Sequence, residues 1–93
     1  MPVDRDRLKT LPRRPGVYLF RDERKHVLYV GKAKSLRPRV RSYFQREADL
    51  SAKNRELVKL IDSVETIVVG SDSEALILEA NLIKEHRPRF NIL

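Results

Sequence analysis

Two short β-prone runs, Gly16-Val17-Tyr18-Leu19-Phe20 and Val27-Leu28-Tyr29-Val30-Gly31, restrict this chain more than any other stretch. Val, Leu, Tyr and Phe fit a pleated, half-buried surface, and the charged Asp22-Glu23-Arg24-Lys25 lies between the runs. The pattern predicts an antiparallel hairpin with a four-residue loop. With Arg21 paired to His26, the register sets Tyr18 directly opposite Tyr29, so that two phenols share one sheet face. A basic segment follows at once: Lys32, Lys34, Arg37, Arg39, Arg41 and Arg46 fall within fifteen residues that contain no acid.

That density, with a formal charge of +7 on 93 residues, favours a polyanionic partner, most simply nucleic acid. Charge alone also fits a solubilising surface. The length suits one domain over residues 1–93, and 41% hydrophobic content is enough for one modest core. The chain has no cysteine, which excludes disulfides and thiolate metal sites, and His26 and His86 are too distant in sequence for a local zinc pair. No apolar run approaches the ~20 residues of a membrane span, and the N-terminus lacks the apolar stretch of a signal peptide. Cytoplasmic residence without a membrane partner is the expectation.

Around the hairpin, Asp4 to Leu11 reads as a short helix ended by Pro12. Ser35 is placed to cap a second helix, with Pro38 in its first turn. Leu36, Val40, Tyr43 and Phe44 share one face of that helix, and Arg39 and Tyr43 are neighbours at its edge. Gln45 to Leu50 reads as a charged, mobile linker. Ser51 caps a third helix to about Ile61, with Leu57, Val58 and Ile61 inward. Val64 to Val69, almost wholly β-branched, predicts a third strand buried on both sides and lying beside the hairpin. Ser71-Asp72-Ser73-Glu74 fits a capping box opening a long helix to about His86; Arg87-Pro88 ends it, and Phe90 to Leu93 returns as an extended tail. The fold class is α+β, a small three-stranded, mainly antiparallel sheet flanked by helices.

The last long helix holds an anomaly. With Leu76 at 0° and about 100° per residue, Ala80, Ile83, Ala75, Leu82 and Leu78 span an apolar arc, and Glu79 falls inside it at about 300°. A carboxylate there must be protonated, paired with a cation or bound to a metal. An ion pair with an arginine of the basic segment is one solution, and a metal ligand facing a cleft is the other. With a single carboxylate and no histidine cluster, one Mg²⁺ or Mn²⁺ suits the position better than zinc. Gly31-Lys32 is no P-loop, because His26 stands where the first glycine belongs and Ala33 follows the lysine. GxGxxG is absent as well, and no small-molecule cofactor is expected.

Gly16-Val17-Tyr18 and Tyr29-Val30-Gly31 resemble the two halves of the GIY-YIG nuclease signature, with Val at both Ile positions. Gly31 to Leu36, Arg39 to Tyr43, Glu79 to Lys84 and Arg87 to Asn91 extend the resemblance over nearly the whole chain, and it is to the N-terminal domains of the UvrC family. The resemblance implies metal-dependent cleavage of a damaged DNA strand on the 3′ side of a lesion, in bacterial nucleotide excision repair. It also implies that this domain opens a longer protein, whose later parts make the second incision and contact UvrB on DNA.

On this reading Glu79 holds the divalent cation, and Tyr29 helps to deprotonate the attacking water, with Lys32 and Arg39 supplying the charge that a phenol of pKa about 10 needs. Arg39 also binds the phosphate, Tyr18 and Tyr43 position water and phosphate through their hydroxyls, and Asn91 hydrogen-bonds near the site. Gly16 and Gly31 let the chain turn tightly beside the substrate. Lys34, Arg37 and Arg41 contact backbone phosphates. The competing expectation is a non-catalytic basic module that grips nucleic acid, with Glu79 in a structural ion pair with Arg39 and the tyrosines serving as core.

Overall fold

The computed structural model describes residues 3–92, so the expected tail residue Leu93 lies outside the described residues. The elements are α1 (Arg5–Lys9), β1 (Gly16–Arg21), β2 (Val27–Ala33), α2 (Leu36–Arg41), α3 (Ala52–Leu60), β3 (Ser63–Val68), α4 (Asp72–His86) and α5 (Arg89–Ile92), with 3-10 turns at Ser42–Phe44 and Glu47–Asp49. The strands form one antiparallel sheet in the order β2-β1-β3. The α+β architecture expected from the sequence is therefore the one observed.

Being central, β1 is the strand buried on both faces. Tyr18 and Phe20 join a core with Leu8, Leu36, Val40, Leu57, Ile61 and Phe90, while Val17 and Leu19 meet Val30 and Ala75 on the other side. The expectation that β3 would be doubly buried fails, because the helices pack chiefly over β1 and β2. Its residues are half-buried or exposed.

The hairpin register differs from the expected one by two residues. Gly31, not Tyr29, lies opposite Tyr18, and Tyr29 lies opposite Phe20. Two local features cause the slip. Asp22 N–H donates to the His26 carbonyl at 3.0 Å and Lys25 N–H to the Asp22 carbonyl at 2.9 Å, with Lys25 at φ 68°, which makes a shorter loop ending in a left-handed residue. The pairing then shifts between Phe20 and Arg21, which leaves Leu28 as the extra residue of a bulge. A slip by an even number preserves the faces, so Tyr18 and Tyr29 still share one.

Ser35 occupies the N-cap of α2, but its side chain makes no cap bond. The Leu36 and Arg37 N–H groups donate instead to the carbonyls of Arg14 and Pro12, both at 3.0 Å. Ser51 and Ser71 do cap α3 and α4, through Asn54 N and Glu74 N. The linker before α3 is drawn into a turn in which Arg46 Nε meets Asp49 at 3.2 Å.

The expected extended tail is instead α5. Its reason is a side chain: Val30 N–H donates to Asn91 Oδ1 at 2.8 Å, and Asn91 Nδ2 donates to Val30 O at 2.9 Å. One carboxamide thus serves the outward backbone groups of an edge strand, as a further strand would.

Gly16 and Gly31 do not turn the chain. Neither has positive φ; both lie within strands, where what matters is the missing Cβ. A Cβ on Gly16 would meet the Ile67 carbonyl, and one on Gly31 would overlap the Tyr18 ring. Tyr18 is fully buried and its hydroxyl is bonded to Tyr43, so the ring cannot swing away. Gly31→Ala is therefore expected to destabilise the domain by about 1–3 kcal/mol, read as a lower midpoint in urea with an unchanged slope. A midpoint equal to that of the unsubstituted chain would show that the ring yields freely.

Candidate active site

Strand alternation sends Tyr18 and Phe20 to the sheet face covered by α2 and α3. Tyr29 reaches the same face from β2, and Tyr43 arrives from the 3-10 turn that continues α2. The ring centroids of Tyr18, Tyr29 and Tyr43 lie 5.8–6.3 Å from one another. Phe20 braces them from below, 4.9 Å from Tyr43 and 5.3 Å from Tyr18. Tyr18 and Tyr43 share a hydrogen bond of 2.8 Å between their hydroxyls. Arg39, exposed on α2, donates from Nε to the Tyr18 hydroxyl at 3.4 Å, and its guanidinium lies 5.8 Å from the Tyr43 centroid.

Burial dominates the proton equilibria here. It pushes the Tyr18 phenol above its ordinary value, against the hydrogen bonds from Tyr43 and Arg39. Tyr43 is raised by burial and then by Tyr18. Tyr29 is pushed up to about 12, first by burial and then by Tyr43; Arg39 pulls it down, and the negative charge of Glu79 adds to the rise. Arg39 is itself raised, chiefly by its hydrogen bond to Tyr18, and stays cationic. All three phenols hold their protons at neutral pH.

Glu79 is half-buried on α4, near enough for its charge to act on Tyr29. The buried face of α4 is narrower than the expected arc, which loses Leu76 and Ala80 to solvent. Ala75 is buried and Leu78, Leu82 and Ile83 pack beside it, whereas Leu76 and Ile77 are 54% and 62% exposed. A three-stranded sheet covers only part of a helix circumference, and small Ala75 sits at the closest approach. Among the described residues Glu79 enters no ion pair and no hydrogen bond, while Arg39 is held by Tyr18. The ion pair between Glu79 and Arg39 is therefore not formed. Among the described residues no three acids, histidines or cysteines cluster. A lone unpaired carboxylate suits an ion such as Mg²⁺, which uses one or two carboxylates and completes its shell with water and phosphate oxygens.

The other expected site residues divide. Lys32 is exposed and, three residues along β2 from Tyr29, alternates to the sheet face covered by α4, the helix that carries Glu79, while Arg39 draws the Tyr29 phenol down from the other face. Asn91 abuts the site through Val30, the neighbour of Tyr29. Lys34 and Arg41 are exposed, whereas Arg37 donates from Nε to the Leu11 carbonyl at 2.6 Å and ties the segment before β1 to α2. Sequence reasoning missed Lys53, whose Nζ stands 5.7 Å from the Tyr29 ring centroid. Nothing local marks it, since its place depends on how α3 docks.

Paired strands carrying Gly-Val-Tyr and Tyr-Val-Gly, an arginine over the tyrosines and one glutamate from the long helix define a GIY-YIG domain. The family model for the UvrC-like GIY-YIG domain matches residues 14–92. The chain is 58% identical over 92 residues to the UvrABC system protein C of Gemmatimonas aurantiaca, covering 99% of this chain and 15% of that protein. It is 52% identical over 88 residues to that of Carboxydothermus hydrogenoformans, covering 95% and 14%. The magnesium-bound crystal structure of the GIY-YIG N-terminal endonuclease domain of UvrC from Thermotoga maritima superposes with a TM-score of 0.82 at 42% identity, over 92% of each chain. The chain belongs to the UvrC-like GIY-YIG family. It spans about 15% of the length of the full relatives it matches.

Proposed function

We propose that this domain hydrolyses a phosphodiester of damaged DNA on the 3′ side of the lesion, within excision repair, using one divalent cation held by Glu79. The observation that carries the reading is the half-buried Glu79 carboxylate, free of any cationic partner among the described residues and acting on Tyr29. A divalent cation at Glu79 supplies positive charge to the scissile phosphate and the departing 3′ oxygen.

The chain's own residues do the rest. Arg39, cationic at every working pH, binds the phosphate and meets the extra negative charge of the pentavalent transition state. Tyr18, fully buried, acts through its hydrogen bonds to Tyr43 and Arg39, and Tyr43, protonated, orients water and phosphate with its hydroxyl. Tyr29 accepts a proton from water only after losing its own, and at a pKa of about 12 that loss is rare. Offsetting the charge of Glu79 removes one of its obstacles, and Arg39 already opposes another. Lys32, Lys34 and Arg41 meet backbone phosphates without reading sequence. Lesion choice and delivery belong to UvrB and to domains beyond this one.

Titration of the EDTA-treated chain with Mn²⁺ tests the reading, with and without a short duplex. One ion is expected to bind, with paramagnetic broadening centred on Tyr29, Arg39 and Glu79. Absence of binding even with DNA present would overturn it.

A further inference from the structure

Helices α3 and α5 flank an open groove of about 450 Å³ lined by Ala52, Lys53, Glu56, Leu60, Arg89 and Phe90. Two of its residues are cations seated on aromatic rings. Lys53 Nζ lies 5.7 Å from the centroid of Tyr29, and the Arg89 guanidinium carbon lies 5.1 Å from that of Phe90. Such contacts orient a cation while leaving its N–H groups to meet another ligand. Neither cation has a carboxylate partner among the described residues, and Glu56, the acid of the lining, is engaged by Lys59 at 3.2 Å.

The groove is also fixed relative to the chemistry. Asn91 clamps α5 to Val30, next in sequence to Tyr29, and Phe90 is 2% exposed. Arg89 is thus anchored on both sides in sequence, by the proline that starts its turn and by the clamp. Lys53 itself bridges the groove and the tyrosine cluster. An anion bound here adjoins the reacting centre without displacing any group assigned to it.

We infer that the α3–α5 groove is a phosphate subsite, in which Lys53 and Arg89 grip the backbone of the cleaved strand next to the phosphate attacked beside Tyr29 and Arg39. The identity of that strand rests on the nuclease reading; binding of phosphates does not. Basic side chains of α2 hold DNA from one element, and this groove holds it from two others, which fixes the direction of the strand across the tyrosines.

The test is fluorescence anisotropy of a labelled single-stranded oligonucleotide in EDTA, over a series of salt concentrations. Lys53→Ala and Arg89→Ala are each expected to weaken binding about fivefold at 0.1 M salt and to lower the salt slope by about 0.7; the double variant lowers it by about 1.4. Lys53→Arg restores both quantities. In incision by the full-length protein, KM rises and kcat is kept within about twofold. Unchanged slopes, or no binding by the unsubstituted chain at about 20 mM salt, overturn the subsite. A fall in kcat with an unchanged slope also overturns it, and assigns Lys53 to Tyr29 instead. If the slopes fall as expected but no divalent cation binds at Glu79, the subsite stands and the nuclease reading falls.

Discussion

Glu79→Gln is expected to lower incision by about a thousandfold or more while leaving the fold and the affinity for DNA in place. The magnitude follows from removing the carboxylate assigned to the divalent ion, whose stabilisation of transition-state charge amounts to several kcal/mol, with about 4 kcal/mol equal to a thousandfold. The selectivity follows from the structure. Glu79 has no ion pair to lose among the described residues, so an isosteric amide leaves no cation stranded, and the Tm should stay within about 2 °C. Incision is measured on a lesion-bearing duplex with the full-length protein and UvrB, and the isolated domain gives the Tm. If incision persists within tenfold, the cation is held elsewhere. If the Tm falls by many degrees, Glu79 serves the fold.

The helical phase that singled out Glu79 could be read from sequence because 100° per residue is a property of the backbone alone. Which neighbours share its burial could not, since Leu76 and Ile77 are left exposed by the narrowness of the sheet. The hairpin was legible from its apolar runs, and the faces of Tyr18 and Tyr29 survived a wrong register because the slip was even. The register itself was hidden in Lys25, a residue without turn preference that nevertheless takes the left-handed conformation, and in the bulge at Leu28. Contacts set by tertiary docking gave no local signal. Asn91 makes α5 a helix by clamping Val30, and Lys53 meets Tyr29 only because α3 packs where it does. Asn91 belongs to a recognisable motif, but that motif does not spell out its clamp on Val30, and Lys53 belongs to no motif at all.

Arg39→Ala is expected to reduce kcat by a factor of about 10²–10³, the loss that follows removal of one preorganised donor to a charged transition state. The side chain is exposed on α2, and its hydrogen bond to Tyr18 is long, 3.4 Å, against 2.8 Å for the bond between Tyr18 and Tyr43. The tyrosine cluster therefore keeps its stronger tie, and stability changes by less than about 1 kcal/mol. Losing the guanidinium also removes the cation that draws the Tyr29 phenol down, so proton transfer at that hydroxyl becomes harder as well as the phosphate less well held. Arg39→Lys keeps the charge without the planar fork and should recover only part of the rate, about a tenth of the original. Single-turnover incision with the variants, set beside DNA binding in EDTA, separates the two roles. A variant that keeps its kcat and loses only about 0.7–0.9 in salt slope would make Arg39 an ordinary phosphate contact, and the transition-state charge would then have to be met by the cation at Glu79 alone.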